Sequence, residues 1–150
     1  MVQPTIEETC LSTEQAITTY RQDARITDVD SLVVEGLSVY YETETGTVKA
    51  VDDVSFTLKQ GERFALVGES GSGKTTLAMA LMRLTRPPGH IARGSVTLNN
   101  RDLTTLTEDE MRQARLSELS LVPQGAMNSL NPVMRIERQL TDGIVDHLAD

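Results

Sequence analysis

Several residue types are scarce in the sequence, and each scarcity excludes a class of protein. The single cysteine, Cys10, excludes an intrachain disulfide and a cysteine-based metal site. No segment approaches the ~18 uninterrupted apolar residues of a membrane-spanning helix. The opening MVQPTIEETC lacks both the basic start and the apolar centre of a signal peptide. We therefore expect an intracellular protein of 150 residues, the length of one ordinary domain.

Basic residues are scarce as well. The chain has 22 acidic residues against 14 basic ones, a net charge of −8, and only three of the basic residues are lysines: Lys49, Lys59 and Lys74. Binding to DNA or RNA requires a basic face, so a nucleic-acid partner is not expected. The acidic, arginine-rich surface fits an ordinary cytosolic protein and a salt-adapted one equally well.

Glycine, by contrast, is concentrated at one bend, in the segment FALVGESGSGKTTLAMALM that begins at Phe64. Residues 64–67 are a short apolar run, which predicts a strand covered on both faces. Three leucines then recur at helical spacing, Leu77, Leu81 and Leu84. They predict a helix that begins near Lys74 and buries one face.

Residues 68–75, between that strand and that helix, fit the pattern G-x-x-x-x-G-K-[ST] without a mismatch. Glycines let backbone N–H groups turn inward, and the helix N-terminus adds a partial positive charge. Lys74 would reach the β and γ phosphates, and the Thr75 hydroxyl would be a ligand of the accompanying Mg²⁺. The pattern predicts a nucleotide-binding loop, because the flanking strand and helix disfavour an incidental Gly/Ser-rich surface turn.

Two other glycine motifs fail. A third glycine that would complete G-x-G-x-x-G is missing, and Ser70 lacks the spacing of G-x-S-x-G. A dinucleotide site and a serine hydrolase are therefore not supported.

Alternating apolar residues predict an antiparallel pair of strands before the loop. Residues 1–30 are polar and are expected to be a flexible acidic extension. One face of the first strand is predicted to carry Val33, Leu37, Val39 and Tyr41, and the second strand to carry Val54, Phe56 and Leu58, with the turn at ETETGT. Gln60 and Gly61 are expected to turn the chain into the next strand.

After the glycine-rich loop, the pattern predicts shorter elements. RPPGHIARG is expected to be an irregular crossing, followed by a short strand at Val96 and Leu98 and a turn at Asn99 and Asn100. Thr107 and Glu110 have capping-box spacing for a helix to about Leu116, and LSLV is a candidate buried strand. Asn131 and Pro132 are expected to start a last helix with an apolar face of Val133, Ile136, Leu140, Ile144 and Leu148.

This order of pieces resembles the ATPase subunit of ABC transporters. The segments LSVYYETETGTVKAVDDVSF, GESGSGKTT, LTEDEMRQAR and VPQGAMNSLNPVMRI are most similar to the oligopeptide/dipeptide importer group. The resemblance implies an α/β P-loop NTPase fold of the ABC-ATPase type over residues 31–150. It would consist of an N-terminal antiparallel β subdomain, an incomplete RecA-like core and the start of a helical subdomain.

The resemblance also assigns roles to individual residues. It implies that the phosphates of ATP are bound by Gly68, Ser70, Gly71, Ser72, Gly73, Lys74, Thr75 and Thr76. Tyr41 matches the aromatic residue that stacks on adenine. A one-residue slip would substitute Tyr40, and a tyrosine merely packed on the sheet is the alternative. Gln124 matches the glutamine that completes the Mg²⁺ sphere together with Thr75. Lys74 and Gln124 are thereby the expected catalytic residues.

The implied function is that of a cytoplasmic ATPase subunit on the inner face of the cell membrane. It would power uptake of peptides or similar solutes, with transmembrane permease subunits and a second ATPase subunit, in a homo- or heterodimer, as partners.

The chain departs from the family pattern, since no LSGGQ-like signature, no apolar strand ending in Asp-Glu and no later switch histidine are present. These 150 residues alone are expected to be inactive in hydrolysis. The alternatives are a truncated nucleotide-binding remnant and another P-loop NTPase.

Overall fold

The computed structural model describes residues 18–22, 29–125 and 130–148. The strands are β1 (Thr18–Gln22), β2 (Asp30–Thr43), β3 (Gly46–Lys59), β4 (Arg63–Val67), β5 (Gly89–Leu98) and β6 (Arg101–Asp102). The helices are α1 (Lys74–Leu81), α2 (Glu108–Ser117) and α3 (Ile136–Leu148), with a 3₁₀ turn at Leu103–Thr105. No helix in these ranges has the length and apolar character needed to cross a membrane.

A four-stranded antiparallel sheet in the order β3-β2-β5-β6 forms the larger layer. The predicted antiparallel pair is confirmed as the β2–β3 hairpin, which turns at Glu44 and Thr45. The turn at Asn99 and Asn100 is also confirmed, with φ values of 47° and 65°. Left-handed residues at both central positions suit the twist of a tight hairpin.

The side-chain alternation predicted for β2 is wrong before Gly36. Leu32 and Val34 are buried, instead of Val33, whereas Leu37 and Val39 are buried as expected. The register with β3 shifts between Val34 and Leu37, and Gly36 between them has φ 55°. A bulge of this kind adds a residue and reverses which side chains face the core.

The core of this layer lies between the sheet and α1. Its most buried apolar side chains include Val34, Leu37, Val39, Val51, Val54, Leu77, Ala80 and Val96. Helix α1 begins at Lys74 as predicted and contacts both β2 and β3. Leu84 lies beyond the end of the helix and is exposed, so the predicted helical face ends earlier than expected.

The irregular crossing predicted for RPPGHIARG is wrong for the second half of that segment. Strand β5 already begins at Gly89, and residues 89–98 pair along β2. The cross-strand partners supply the backbone hydrogen bonds, which sequence pattern alone does not reveal because Pro87 and Gly89 read as a loop.

Strand β4 exists as predicted, but its surroundings differ from the prediction. It pairs antiparallel with β1, so Thr18–Gln22 of the expected extension forms a strand. Residues 1–17 and 23–28, with Cys10, lie outside the described residues. The strand is not covered on both faces, since Val67 is 53% exposed. Phe64 stacks on Phe56 of β3, with ring centroids 4.9 Å apart and an interplanar angle of 11°.

The chain divides into two compact units, residues 1–107 and 108–150. In the second unit, α2 confirms the helix predicted after Thr107. The predicted LSLV strand is wrong, because Leu119 makes only an isolated bridge to Arg115 and Val122 is 85% exposed.

The predicted start of the last helix is also wrong, because α3 begins at Ile136. The side-chain oxygen of Asn131 accepts the N–H of Val133 at 3.1 Å, an Asx turn that precedes the helix. Gln139 Nε2 donates to the carbonyl oxygen of Asn131 at 3.0 Å and fixes this turn against the helix.

Candidate functional site

The glycine-rich loop spans residues 68–73, between the end of β4 and the start of α1. Gly71 and Gly73 have φ values of 85° and 87°, in the left-handed region that other residues enter at a cost. The N–H of Ser72 donates to the carbonyl oxygen of Glu69 at 3.2 Å and closes a turn within the loop. All eight predicted phosphate-binding residues lie in this loop and in the first turn of α1.

Gly73 is required for a second reason that the sequence did not reveal. A Cβ at this position would lie 2.3 Å from the carbonyl oxygen of Ala50 in β3, whereas a Cβ at Gly71 would meet nothing within 4 Å. Gly73 therefore lets the start of α1 approach the β2–β3 hairpin closely. Sequence reasoning missed Ala50 because a backbone carbonyl leaves no signal in the side-chain pattern.

The Lys74 side chain folds back across the loop. Its ammonium donates to the carbonyl oxygens of Gly68 at 2.9 Å and Glu69 at 2.5 Å, and to Ser72 Oγ at 3.0 Å. An ammonium group has three N–H donors, so the loop itself supplies a partner for each one. Phosphate oxygens are stronger acceptors for an ammonium than neutral carbonyls, so a phosphate that enters the loop can replace them.

The N-terminus of α1 adds further donors. No side chain caps this end, and its first turn contains no acidic residue. The first N–H groups of a helix have no partner within the helix and carry the positive end of its dipole. Ser72 is buried and Thr76 is half-buried, whereas Ser70 and Thr75 are exposed. This set of N–H groups, hydroxyls and one ammonium fits a chain of phosphates.

The two adjacent tyrosines of β2 have different surroundings. The Tyr40 hydroxyl donates to Asp52 Oδ1 at 2.6 Å and accepts from Arg93 at 3.3 Å, and the Lys49 ammonium lies 5.4 Å from its ring centroid. Tyr41 is half-buried and pairs across the sheet with Val48 of β3, two residues from Ala50. The Tyr41 ring packs against Gly89 of β5, since a Cβ at that glycine would lie 2.6 Å from Tyr41 Cε1.

Asp52 accepts three hydrogen bonds in this cluster. The Tyr40 hydroxyl, the Lys49 ammonium at 3.1 Å and the Arg93 guanidinium at 3.0 Å together lower the pKa of Asp52 from 3.8 to about 2. Arg93 also donates to the buried Ser38 Oγ at 3.1 Å, which accepts the N–H of Asp53 as well. The hydrogen bonds of this cluster link β2, β3 and β5, and they fix the Tyr40 side chain against Asp52 and Arg93.

Gln124 lies in an exposed turn with Gly125 in the second unit. The phosphate loop lies in the first unit. Ser129 of the SLNP segment falls outside the described residues. In the described ranges no group of three His, Cys, Asp or Glu side chains could hold a metal ion.

The sequence of the chain is similar to those of known proteins of one family. A family model described as ABC transporter matches residues 51–149. The oligopeptide transport ATP-binding protein OppD of Bacillus subtilis is 40% identical over 117 residues, which are 77% of this chain and 33% of the relative. OppD of Escherichia coli is 43% identical over 116 residues, covering 77% of this chain and 34% of the relative.

The dipeptide transport ATP-binding protein DppD of Caldanaerobacter subterraneus is 40% identical over 114 residues, covering 76% of this chain and 35% of the relative. The chain thus spans about a third of the length of these curated relatives. The family resemblance predicted from the motifs is confirmed. The chain belongs to the ABC transporter family, has the P-loop NTPase fold that this family implies, and groups with the ATP-binding proteins of oligopeptide and dipeptide transport.

Proposed function

We propose that the chain is the ATP-binding part of an ABC-type ATPase subunit that powers uptake of peptides or similar small solutes. The observation that carries this proposal is the phosphate loop, in which Gly71, Gly73 and the uncapped start of α1 surround the Lys74 ammonium. The names of the relatives, which refer to oligopeptide and dipeptide transport, supply the class of solute.

Each residue of the site has a role in this proposal. The N–H groups at the start of α1 and the hydroxyls of Ser70, Ser72 and Thr76 bind phosphate oxygens. Lys74 exchanges the Gly68 and Glu69 carbonyls for the β and γ phosphates, which places its charge beside the bond that breaks. Tyr41 stacks on the adenine.

Thr75 and Gln124 are the residues that would hold Mg²⁺. The exposed Thr75 hydroxyl stands in the first turn of α1, next to the expected phosphates, and Gln124 offers a neutral amide oxygen. When bound, Mg²⁺ neutralises the charge on the β and γ oxygens. Gln124 also helps to orient the attacking water.

The proposal extends to the assembly. The antiparallel sheet is the N-terminal β subdomain, the β4–α1 segment belongs to an incomplete RecA-like core, and α2 and α3 start the helical subdomain. The partners are transmembrane permease subunits and a second ATPase subunit, on the cytoplasmic face of the membrane. Peptide uptake requires all of these parts.

A chimera tests the transport role. The segment of Escherichia coli OppD that matches this chain over 116 residues is replaced by the corresponding residues here, and uptake of a labelled oligopeptide is measured in cells. We expect uptake from the chimera, a loss of uptake with Lys74→Ala, and no loss with Lys59→Ala, which removes the same charge from β3. A chimera that is expressed and binds ATP but supports no uptake contradicts the proposal.

A further inference from the structure

The backbone conformation at Gly89, the first residue of β5, does not require a glycine. Its φ lies outside the left-handed region, unlike that of seven other glycines in the described ranges. A Cβ on Gly89 would, however, lie 2.6 Å from Tyr41 Cε1 and 2.8 Å from Tyr41 Cζ. It would also lie 2.9 Å from Thr85 Cγ2. The missing side chain therefore makes space for the Tyr41 ring.

The backbone around Gly89 is fixed on both sides. Gly89 pairs with Tyr41 in the register of β2 and β5, and its N–H donates to the carbonyl oxygen of Arg86 at 2.9 Å. The N–H of Glu42 donates to the carbonyl oxygen of Pro88 at 3.3 Å. Because this strand edge cannot move without breaking these hydrogen bonds, a methyl group at Gly89 would have to displace the Tyr41 ring and the Thr85 methyl group.

Packing also decides where the Tyr41 ring lies. Among the described residues, the Tyr41 hydroxyl makes no hydrogen bond, in contrast to that of Tyr40, which contacts Asp52 and Arg93. An aromatic ring without a polar anchor takes its orientation from the atoms it touches. At Tyr41, those atoms include the backbone of Gly89.

We propose that Gly89 is a positioning residue that sets the Tyr41 ring at the angle used for base stacking. This rests on the proposed role of Tyr41 as the adenine-stacking residue. Gly89 touches no nucleotide in this account and acts only through the tyrosine.

The first experiment compares ATP with inorganic tripolyphosphate on the 150-residue chain by calorimetry. Tripolyphosphate reports on the phosphate loop alone, because it has no base. We expect Gly89→Ala to weaken ATP binding roughly fivefold, the low end of the loss of a stacking contact, with tripolyphosphate binding changed by less than about twofold. A merely structural role would weaken both ligands equally, and that result overturns the proposal.

Gly143→Ala in α3 is the matched control, because its φ is also outside the left-handed region and its Cβ would meet nothing within 4 Å. It should change neither ligand's affinity.

A double-mutant cycle tests the contact without any nucleotide. Tyr41→Ala removes the ring and leaves only the contact with Thr85, so Gly89→Ala should destabilise the Tyr41→Ala background less than the wild-type background. An equal loss of unfolding free energy in both backgrounds overturns the proposal. NMR signals of the Tyr41 ring should also shift in Gly89→Ala, and unchanged signals would contradict the displacement. If Tyr41→Ala leaves ATP affinity unchanged, the stacking role is wrong, whereas the cycle and the ring signals still decide the contact.

Discussion

Tyr40 and Tyr41 show how two identical adjacent residues acquire different roles from their partners. The Tyr40 hydroxyl hydrogen-bonds to Asp52 and Arg93, whereas the Tyr41 ring packs against Gly89 and its hydroxyl makes no hydrogen bond to the described residues. The sequence left a one-residue slip between them open. The hydrogen bonds of Tyr40 favour Tyr41 as the residue whose ring is available for stacking, although that role stays a prediction.

Nucleotide comparison tests the stacking role. A stacked ring accepts any purine, so ATP and GTP should bind within about tenfold, or 1.4 kcal/mol, of each other. Tyr41→Ala should weaken both, and Tyr40→Phe, which keeps a ring and removes the bond to Asp52, should weaken neither. Fluorescence or calorimetric titration measures this. Loss of affinity from Tyr40→Ala, which removes that ring, together with full affinity in Tyr41→Ala would show that the register is wrong by one.

Asp52 makes the stability of the folded chain depend on pH. Hydrogen bonds from Tyr40, Lys49 and Arg93 lower its pKa from 3.8 to about 2 in the folded chain. A lowered pKa means that the folded state binds its proton less readily than the unfolded state. Its contribution to stability is therefore complete above about pH 5 and is lost as the pH falls from about 4 to about 2.

Asp52→Asn should accordingly unfold more easily than wild type at neutral pH, and the difference should shrink between pH 4 and pH 2. Denaturant unfolding at a series of pH values measures it. Asp30→Asn, at an exposed carboxylate at the start of β2, is the control and should show no such convergence. A difference between wild type and Asp52→Asn that stays constant down to pH 2 would contradict the account.

At the scale of elements, the β4–loop–α1 segment could be predicted from sequence because its information is local. Each of its three signals involves residues that are close together in the sequence: a glycine pattern, a short apolar run and helically spaced leucines. The β2–β3 hairpin was predictable for the same reason, since ETETGT separates two alternating runs.

The wrong predictions depend on distant partners. Thr18–Gln22 is polar and forms a strand only because β4 offers its edge. Gly89 reads as loop and joins a strand through β2. The bulge at Gly36 reverses the alternation that Val33 suggested. The apolar residues of LSLV form no strand. In the described part of the chain their backbone pairs with no other strand, apart from the isolated bridge of Leu119 to Arg115.

Helix α3 carries an apolar face that the second unit, as described, leaves exposed. Ile136, Leu140 and Ile144 are 60%, 61% and 57% exposed, whereas the side chain of Leu148 lies outside the described residues. An apolar stripe of this kind promotes association.

Leu140→Gln should therefore reduce concentration-dependent association of the 150-residue chain, measured by sedimentation or light scattering. Its free energy of unfolding should change by about 0.5 kcal/mol or less, since the side chain is exposed. Leu37→Ala, at a fully buried position, should instead cost about 2 to 5 kcal/mol. Unchanged association in Leu140→Gln would show that the α3 face is not responsible.

At the scale of the whole molecule, we predict that the chain does not hydrolyse ATP. The 150-residue sequence lacks the family's signature segment and its strand ending in Asp-Glu, so these residues alone should show no ATP turnover above background. This stays a prediction. Steady phosphate release by the purified chain, abolished by Lys74→Ala, would refute it and turn attention to carboxylates such as the exposed Glu69 in the loop.

The central claim is that residues 68–75, the phosphate loop and the start of α1, bind the phosphates of ATP through Lys74. Calorimetric titration of ATP with Mg²⁺ into wild type, Lys74→Ala and Lys59→Ala tests it most directly. Loss of hydrogen bonds to charged oxygens should cost Lys74→Ala about 1.5 to 3 kcal/mol, roughly ten- to hundredfold in Kd. Lys59→Ala, with the same change in net charge, should bind like wild type. Equal ATP affinity in wild type and Lys74→Ala would contradict the account.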